Sequence, residues 1–179
     1  MTDTIDLQPV LTGELVQLRP IRADDWAEMY AAASDPLIWA GHPITDRWQE
    51  PIFRQFFDDA VASRSAFAIL DRATGRIVGS SRYHGHDPAA REIEIGWTFF
   101  TRDCWGRGYN SEAKRLMIDH AFRYVDTVIF VVGETNLRSR RAVEKLGGTL
   151  RGEFDRVFHG RTVRNVVYEI RKGHERGPA

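Results

Sequence analysis

Residues 92–148 read EIEIGWTFFTRDCWGRGYNSEAKRLMIDHAFRYVDTVIFVVGETNLRSRRAVEKLGG, and the order of elements in this stretch decides the fold. From Glu92 to Thr101, Ile93, Ile95, Trp97 and Phe99 alternate with Glu92, Glu94, Gly96 and Thr98. That period of two predicts a strand, and the glycine at its middle predicts a bulge or a close backbone approach. A loop with Gly106 and Gly108 then opens a helix to about Val125, on which Ala113, Leu116, Met117, His120, Ala121 and Tyr124 recur at helical spacing. Thr127–Val132 is a nearly unbroken β-branched and aromatic run, which predicts a strand buried on both faces. Asn136 and Ser139 precede another helical segment, closed by Leu146-Gly147-Gly148 with glycine where a helix C-cap wants it.

Outward from this core, Leu15–Leu18 reads as a first strand closed by Arg19-Pro20. Asp24 is placed to cap a helix carrying Trp26, Met29, Tyr30 and Ala33, which Asp35-Pro36 ends because the residue before proline disfavours helical angles. A second helical stretch spans roughly Thr45–Ser63, with Pro51 interrupting or restarting it. Phe67–Leu70 and Ile77–Tyr83 flank a turn-rich hexapeptide and predict an antiparallel hairpin. Thr149–Phe158 and Val163–Ile170 predict two last strands turned at His159-Gly160-Arg161, and the polar tail from Lys172 to Ala179 is expected to fray. The order is mixed α/β.

Composition narrows the function. A chain of 179 residues fits one domain. Its 25 basic and 25 acidic residues cancel, against the basic surface on which nucleic-acid affinity rests. No apolar stretch approaches the ~18 residues of a membrane span, and Met1–Val10 lacks a secretory signal's basic start and apolar run. A single cysteine, Cys104, leaves no internal disulfide, so a soluble protein of the reducing cytoplasm is expected. A two-fold homodimer, the commonest homo-oligomer, stays open.

The loop Trp105–Ser111 carries the chemistry. Directly before a helix, it presents free backbone N–H groups that, with the positive end of the helix dipole, suit a phosphate or pyrophosphate. Two glycines easing a strand-to-helix turn would look the same. No G-x-x-x-x-G-K-[ST] is present, and Ser111 stands where G-x-G-x-x-G needs its third glycine, so the P-loop and dinucleotide readings fail.

With the Asn136-x-x-Ser139 and Glu144-Lys145-Leu146-Gly147 pair at its distance after that loop, the run from Glu92 to Gly148 resembles the core of the GNAT superfamily of acyl-coenzyme A-dependent N-acyltransferases. Leu18-Arg19-Pro20, Asp24-Asp25 and Ser34-Asp35-Pro36 resemble the opening of its RimJ/RimL ribosomal-protein N-terminal acetyltransferase branch, so the likeness spans about Leu15–Ile170. It implies a single-domain α/β (α+β) fold. A central mixed, mostly antiparallel twisted sheet of six to seven strands would be flanked by about four helices and splayed between the fourth and fifth strands. One N-acetyltransferase domain over residues 1–179 follows, with core 15–170 and tail 171–179.

The resemblance further implies acetyl-coenzyme A as co-substrate, a primary amine (a protein N-terminus or a small molecule) as acceptor, and no metal. The amides of Gly106, Arg107, Gly108, Tyr109, Asn110 and Ser111 would hold the diphosphate. The backbone of Thr98, Phe99 and Phe100 would pair with pantetheine, and Asn136 and Ser139 would help position it. Trp105 stands in place of the motif's glutamine or arginine, Asn110 in place of its second small residue, Val143 in place of the general-acid tyrosine, and Gly148 in place of a phenylalanine. A coenzyme A-binding module with weakened catalysis is the alternative. Ser139 is the candidate acid toward the thiolate, or a plain helix cap. Glu94, with Glu92 competing, is the candidate base, or one of two solvated strand carboxylates.

His84-Gly85-His86-Asp87 reads as a solvated turn rather than a metal site, and Cys104 as an incidental buried thiol although helix N-termini lower thiol pKa. Trp39, Trp48, Phe53, Phe56 and Phe57 line the acceptor site or form a helix core, and Arg138, Arg140 and Arg141 meet a coenzyme phosphate or solvent.

Overall fold

A computed structural model describes residues 4–158 and 160–173. His159 of the expected last turn, and 174–179 of the expected tail, lie outside the described residues. Eight strands form one sheet: β1 Leu11–Thr12, β2 Val16–Pro20, β3 Ala66–Asp71, β4 Ile77–Asp87, β5 Glu92–Phe100, β6 Thr127–Gly133, β7 Thr149–Phe158 and β8 Arg161–Arg171. Their spatial order is β1-β2-β3-β4-β5-β6-β8-β7. Neighbours are antiparallel except β5 and β6, which run parallel. Five α-helices complete it: α1 Trp26–Ala33, α2 Pro36–Trp39, α3 Glu50–Ser63, α4 Tyr109–Ala121 and α5 Leu137–Lys145.

The α/β class and mostly antiparallel sheet are as expected, with one strand and one helix more. The extra strand, β1, is a two-residue edge piece paired with Gln17 and Leu18. The extra helix, α2, begins where a break was expected. Ser34 ends α1, and Asp35 then caps the new helix by accepting from the Leu37 amide (2.9 Å), with Pro36 in the first-turn position proline tolerates. Asp24 does not cap α1. A 3-10 turn, Ala23–Asp25, leads into it, and the Asp25 carboxylate binds Arg19 (2.7 and 2.8 Å) and the Arg22 amide (2.8 Å). α3 starts only at Glu50, one residue before Pro51, and α4 ends at Ala121 rather than Val125. β6 alternates half-buried and buried residues until its end, so it is not buried on both faces.

Two apolar cores lie on opposite faces of the sheet. One packs α4 and α5 against Phe67, Ile69, Ile93, Ile95 and Phe130. The other packs α1, α2 and α3 against Ala66, Ala68, Ile77 and Phe99.

Candidate functional site

β5 and β6 stay paired only over Glu92–Glu94 and Thr127–Ile129, then part. The parting follows a bulge: Ser80 faces Phe99 and Arg82 faces Gly96, so Ser81 opposes both Trp97 and Thr98. Trp97 takes the left-handed φ of 52° there. The result is a wedge between parallel strands, open at their carboxyl ends, where open α/β sheets bind ligands.

The loop from β5 to α4 crosses that open end. Gly106 and Gly108 have φ of 69° and 86°, which an L side chain adopts only under strain. An added Cβ would meet nothing at Gly106 and Leu15 Cδ1 at 3.3 Å at Gly108. The first amide bond into α4 runs from Glu112 to the Gly108 carbonyl (2.9 Å). Among the described residues, no well-aligned hydrogen bond engages the amides of Gly106, Arg107, Gly108, Tyr109, Asn110 and Ser111, which follow one another through a tight turn. Six donors at a helix N-terminus fit a diphosphate. Trp105 sits beside them, its indole donating to the Phe100 carbonyl (3.0 Å) and its ring under the Arg138 guanidinium (3.7 Å). That carbonyl is thus already engaged; Thr98 and Phe99 complete the strand edge toward the wedge.

Across the wedge, Asn136 caps α5: its Oδ1 accepts from the Ser139 amide (3.3 Å). The cap is therefore Asn136 and not Ser139, whose hydroxyl has no partner among the described residues. Val143 is buried, and a Cβ on Gly148 would fall 2.6 Å from its Cγ1, so this valine and this glycine fill one space together.

Glu94 and Glu92 are not equivalent solvated carboxylates. Glu92 pairs with Arg151. Glu94 lies on the face toward α1–α3, its Oε1 3.2 Å from where a Gly96 Cβ would stand. Burial raises its pKa, while Arg156, Arg82 and Lys114 pull it down. On the opposite face, Lys114 of α4 is buried, with no carboxylate partner among the described residues. Its Nζ donates to Ser81 Oγ (3.1 Å) and to Thr98 Oγ1, and lies 5.5 Å from the Phe130 ring. Desolvation pushes its pKa down to about 7, against the favourable charge of Glu94.

A second group of cations sits on the Glu94 face. Arg82 is 9% exposed, with Cζ 4.0 Å from the Trp97 ring centroid and Nη1 donating to the Asp59 carbonyl (3.3 Å). Arg47, 8% exposed, lies against the rings of Trp39 (5.3 Å) and Phe56 (4.8 Å). Its pKa falls to about 10, through burial first and then the charge of Arg82. His42, beside it, is driven down to about 3 by burial and by Arg47 and Arg138.

Trp39, Phe53, Phe56 and Phe57 are buried in the second core, while Trp48 is partly exposed. Burial raises the Cys104 pKa although Thr101 donates to its sulfur, so the helix start does not activate this thiol. His84 to Asp87 end β4 rather than forming a turn, and no group of three or more His, Cys, Asp and Glu gathers among the described residues. Arg138 donates to the Ile38 carbonyl (3.0 Å), and Arg140 binds Tyr168 Oη and the Glu134 carbonyl (both 3.0 Å). Lys114, Arg82, Arg47 and His42 escaped the sequence reading. The one signal was a lysine beside the buried stripe of α4, a position ordinarily read as solvent-facing.

An acetyltransferase (GNAT) domain family model matches residues 16–149. Among solved structures, the chain is similar to a GCN5-related N-acetyltransferase from Brucella melitensis, with TM-score 0.80 and 26% identity over 92% of this chain and 79% of that one. It shares its fold with a Vibrio cholerae protein provisionally described as a ribosomal-protein-serine acetyltransferase (TM-score 0.76, 15% identity, 94% and 100% covered). It also shares it with the microcin C7 self immunity acetyltransferase MccE, solved with acetyl-CoA and AMP (TM-score 0.73, 14% identity, 93% and 99% covered). The family match runs from the first residue of β2 to the first of β7, taking in the wedge, the amide-rich loop and the α5 cap, and the chain belongs to the GNAT acetyltransferase family.

Proposed function

We propose that this chain is an N-acetyltransferase that moves an acetyl group from acetyl-coenzyme A to a primary amine, by direct attack in a ternary complex. One observation carries the reading: six backbone amides without a well-aligned acceptor among the described residues cross the open end of the parallel strand pair. The acetyl-CoA in the MccE neighbour supports it. Residues 15–170 act as one catalytic unit, in the reducing cytoplasm. The Leu18-Arg19-Pro20 and Ser34-Asp35-Pro36 opening and the fold shared with the Vibrio protein favour the RimJ/RimL-like branch.

Acetyl-coenzyme A supplies an activated thioester when bound, and coenzyme A thiolate is the group that leaves. The amides of Gly106 to Ser111 hold its diphosphate, the β5 backbone at Thr98 and Phe99 guides pantetheine while the Phe100 carbonyl is held by Trp105, and Asn136 and Ser139 bound the opposite wall. Holding both reactants together contributes the larger share, up to about 7–11 kcal/mol. Glu94, whose pKa burial raises above the usual carboxylate value, takes the ammonium proton through water in its ionised form. The Ser139 hydroxyl supplies a hydrogen bond to the departing thiolate. A buried Val143, packed against Gly148, stands in place of the family's general-acid tyrosine and brings no hydroxyl, which favours as second reading a coenzyme-binding module with little turnover.

Calorimetric titration with coenzyme A, then thiol release from acetyl-coenzyme A over an amine panel, tests both. Binding with amine-dependent release supports the enzyme, and binding without release supports the module. No binding removes both.

A further inference from the structure

Resting on the acetyltransferase reading, we infer that the acceptor is a small amine carrying its own anionic group, a carboxylate or phosph(on)ate, held by Arg82 and Arg47 beside Glu94. As whole residues Arg82 and Arg47 are 9% and 8% exposed, and neither guanidinium has a carboxylate within 4 Å among the described residues. The Arg82 Nε is buried with no hydrogen-bond partner among the described residues. Buried charge without a partner is costly, and a site that tolerates it gains when a counter-ion arrives.

The two cations converge. Arg47 lies over Phe56, and Arg82 donates to the Asp59 carbonyl, one turn further along the same face of α3. His42 adds a third donor. Its Nδ1 accepts from the Ile44 amide (3.0 Å), which leaves the neutral ring's proton on Nε2, 3.4 Å from Arg47 Nη1. Donor thus faces donor, and an anion oxygen would satisfy both. The carboxylates acting on this cluster from farther off are Asp59 and Glu94 on Arg82 and Asp46 on Arg47. Glu94 shares the sheet face with Arg82, whose partner across the strands is Gly96. A proton acceptor for the amine and an anchor for an acid therefore share one face of the sheet, as the two ends of a free amino acid would require. A protein N-terminus lacks that second end.

The test uses acid and neutral partners of one amine: α-amino acids against their carboxamides, and 2-aminoethylphosphonate against ethanolamine, each with acetyl-coenzyme A. For the preferred amine, kcat/KM for the acid should exceed that of its neutral partner about 10–100-fold, mainly through KM. Arg82→Gln and Arg47→Gln should collapse this ratio to within threefold, and Arg82→Lys should restore part of it. Unchanged circular dichroism and coenzyme affinity in the variants exclude unfolding as the cause. Equal rates for acid and neutral partner, a ratio indifferent to both substitutions, or a neutral peptide acetylated faster than every acid would each overturn the inference. If coenzyme binds yet no amine reacts, the enzymatic reading falls. The anion site is then decided by titrating the same acids into coenzyme-loaded protein: a thermal shift in wild type that Arg82→Gln abolishes upholds it, and no shift sinks it.

Discussion

Replacing Lys114 with methionine should make the protein more stable at pH 6 and leave it nearly unchanged at pH 10. The amine is buried between Ser81, Thr98 and Phe130, and its pKa falls from 10.5 to about 7 through loss of hydration. Between those values the unfolded chain holds a proton that the folded chain does not, so wild-type stability rises with pH across the window. At ~1.4 kcal/mol per pKa unit, a penalty on the order of 5 kcal/mol operates below pH 7 and is gone by about pH 10.5. Methionine keeps the unbranched stem and removes the charge, while Ser81 and Thr98 retain their mutual hydrogen bond (2.8 Å). Urea or thermal unfolding of both proteins, stepped from pH 6 to 10, gives a difference curve in which titrating groups not coupled to Lys114 cancel, leaving Lys114 with the smaller contribution of Glu94, whose pKa its charge lowers. With roughly 2–4 °C per kcal/mol for a chain of this size, the variant should melt about 10 °C higher at pH 6, converging upward. A flat difference curve, or a wild type more stable than the variant at pH 6, would refute the argument.

Glu94→Gln should lower kcat about 10²–10⁴-fold and abolish the acidic limb of the kcat/KM profile; because the Glu94 pKa is raised, wild-type activity falls as pH drops through that elevated value. Gly108→Ala forces an L side chain to φ 86° against Leu15, so coenzyme affinity measured by calorimetry should fall and stability should drop by about 1 kcal/mol or more. Glu112→Ala removes three hydrogen bonds of 2.8 Å from the amides of Glu14, Leu15 and Val16, which should cost about 2–3 kcal/mol in urea unfolding.

The long periodic elements were legible in the chain because their spacing follows from which face is buried: β5 alternates, and α4 carries its stripe. The glycine within β5 signalled its bulge, while the parting of the strands was expected only through the family resemblance. Short elements were not. β1 has two residues and no period to read, and α2 hid behind Asp35-Pro36, where the residue before proline ended one helix and then capped the next. Tertiary burial of charge was least visible. Lys114, Arg82 and Arg47 look like solvent-facing residues in any local window, and only the packing of α3 and α4 on the two faces of the sheet encloses them. Ser139 illustrates the opposite case: a serine near a helix start reads as the cap, but Asn136 holds that position and leaves the hydroxyl without a partner among the described residues.

Through its single carboxylate, Glu112 fastens the turn before β2 to the first residues of α4. The loop that displays the acceptor-less amides is therefore moored to the sheet two strands beyond its own hairpin, and it reaches its ligand already shaped. Occupancy should then register at a distance. Deuterium uptake at the amides of Glu14, Leu15 and Val16 should slow when coenzyme A is added, although those amides belong to another part of the chain, because opening the carboxylate clasp would loosen the ligand's footing as well.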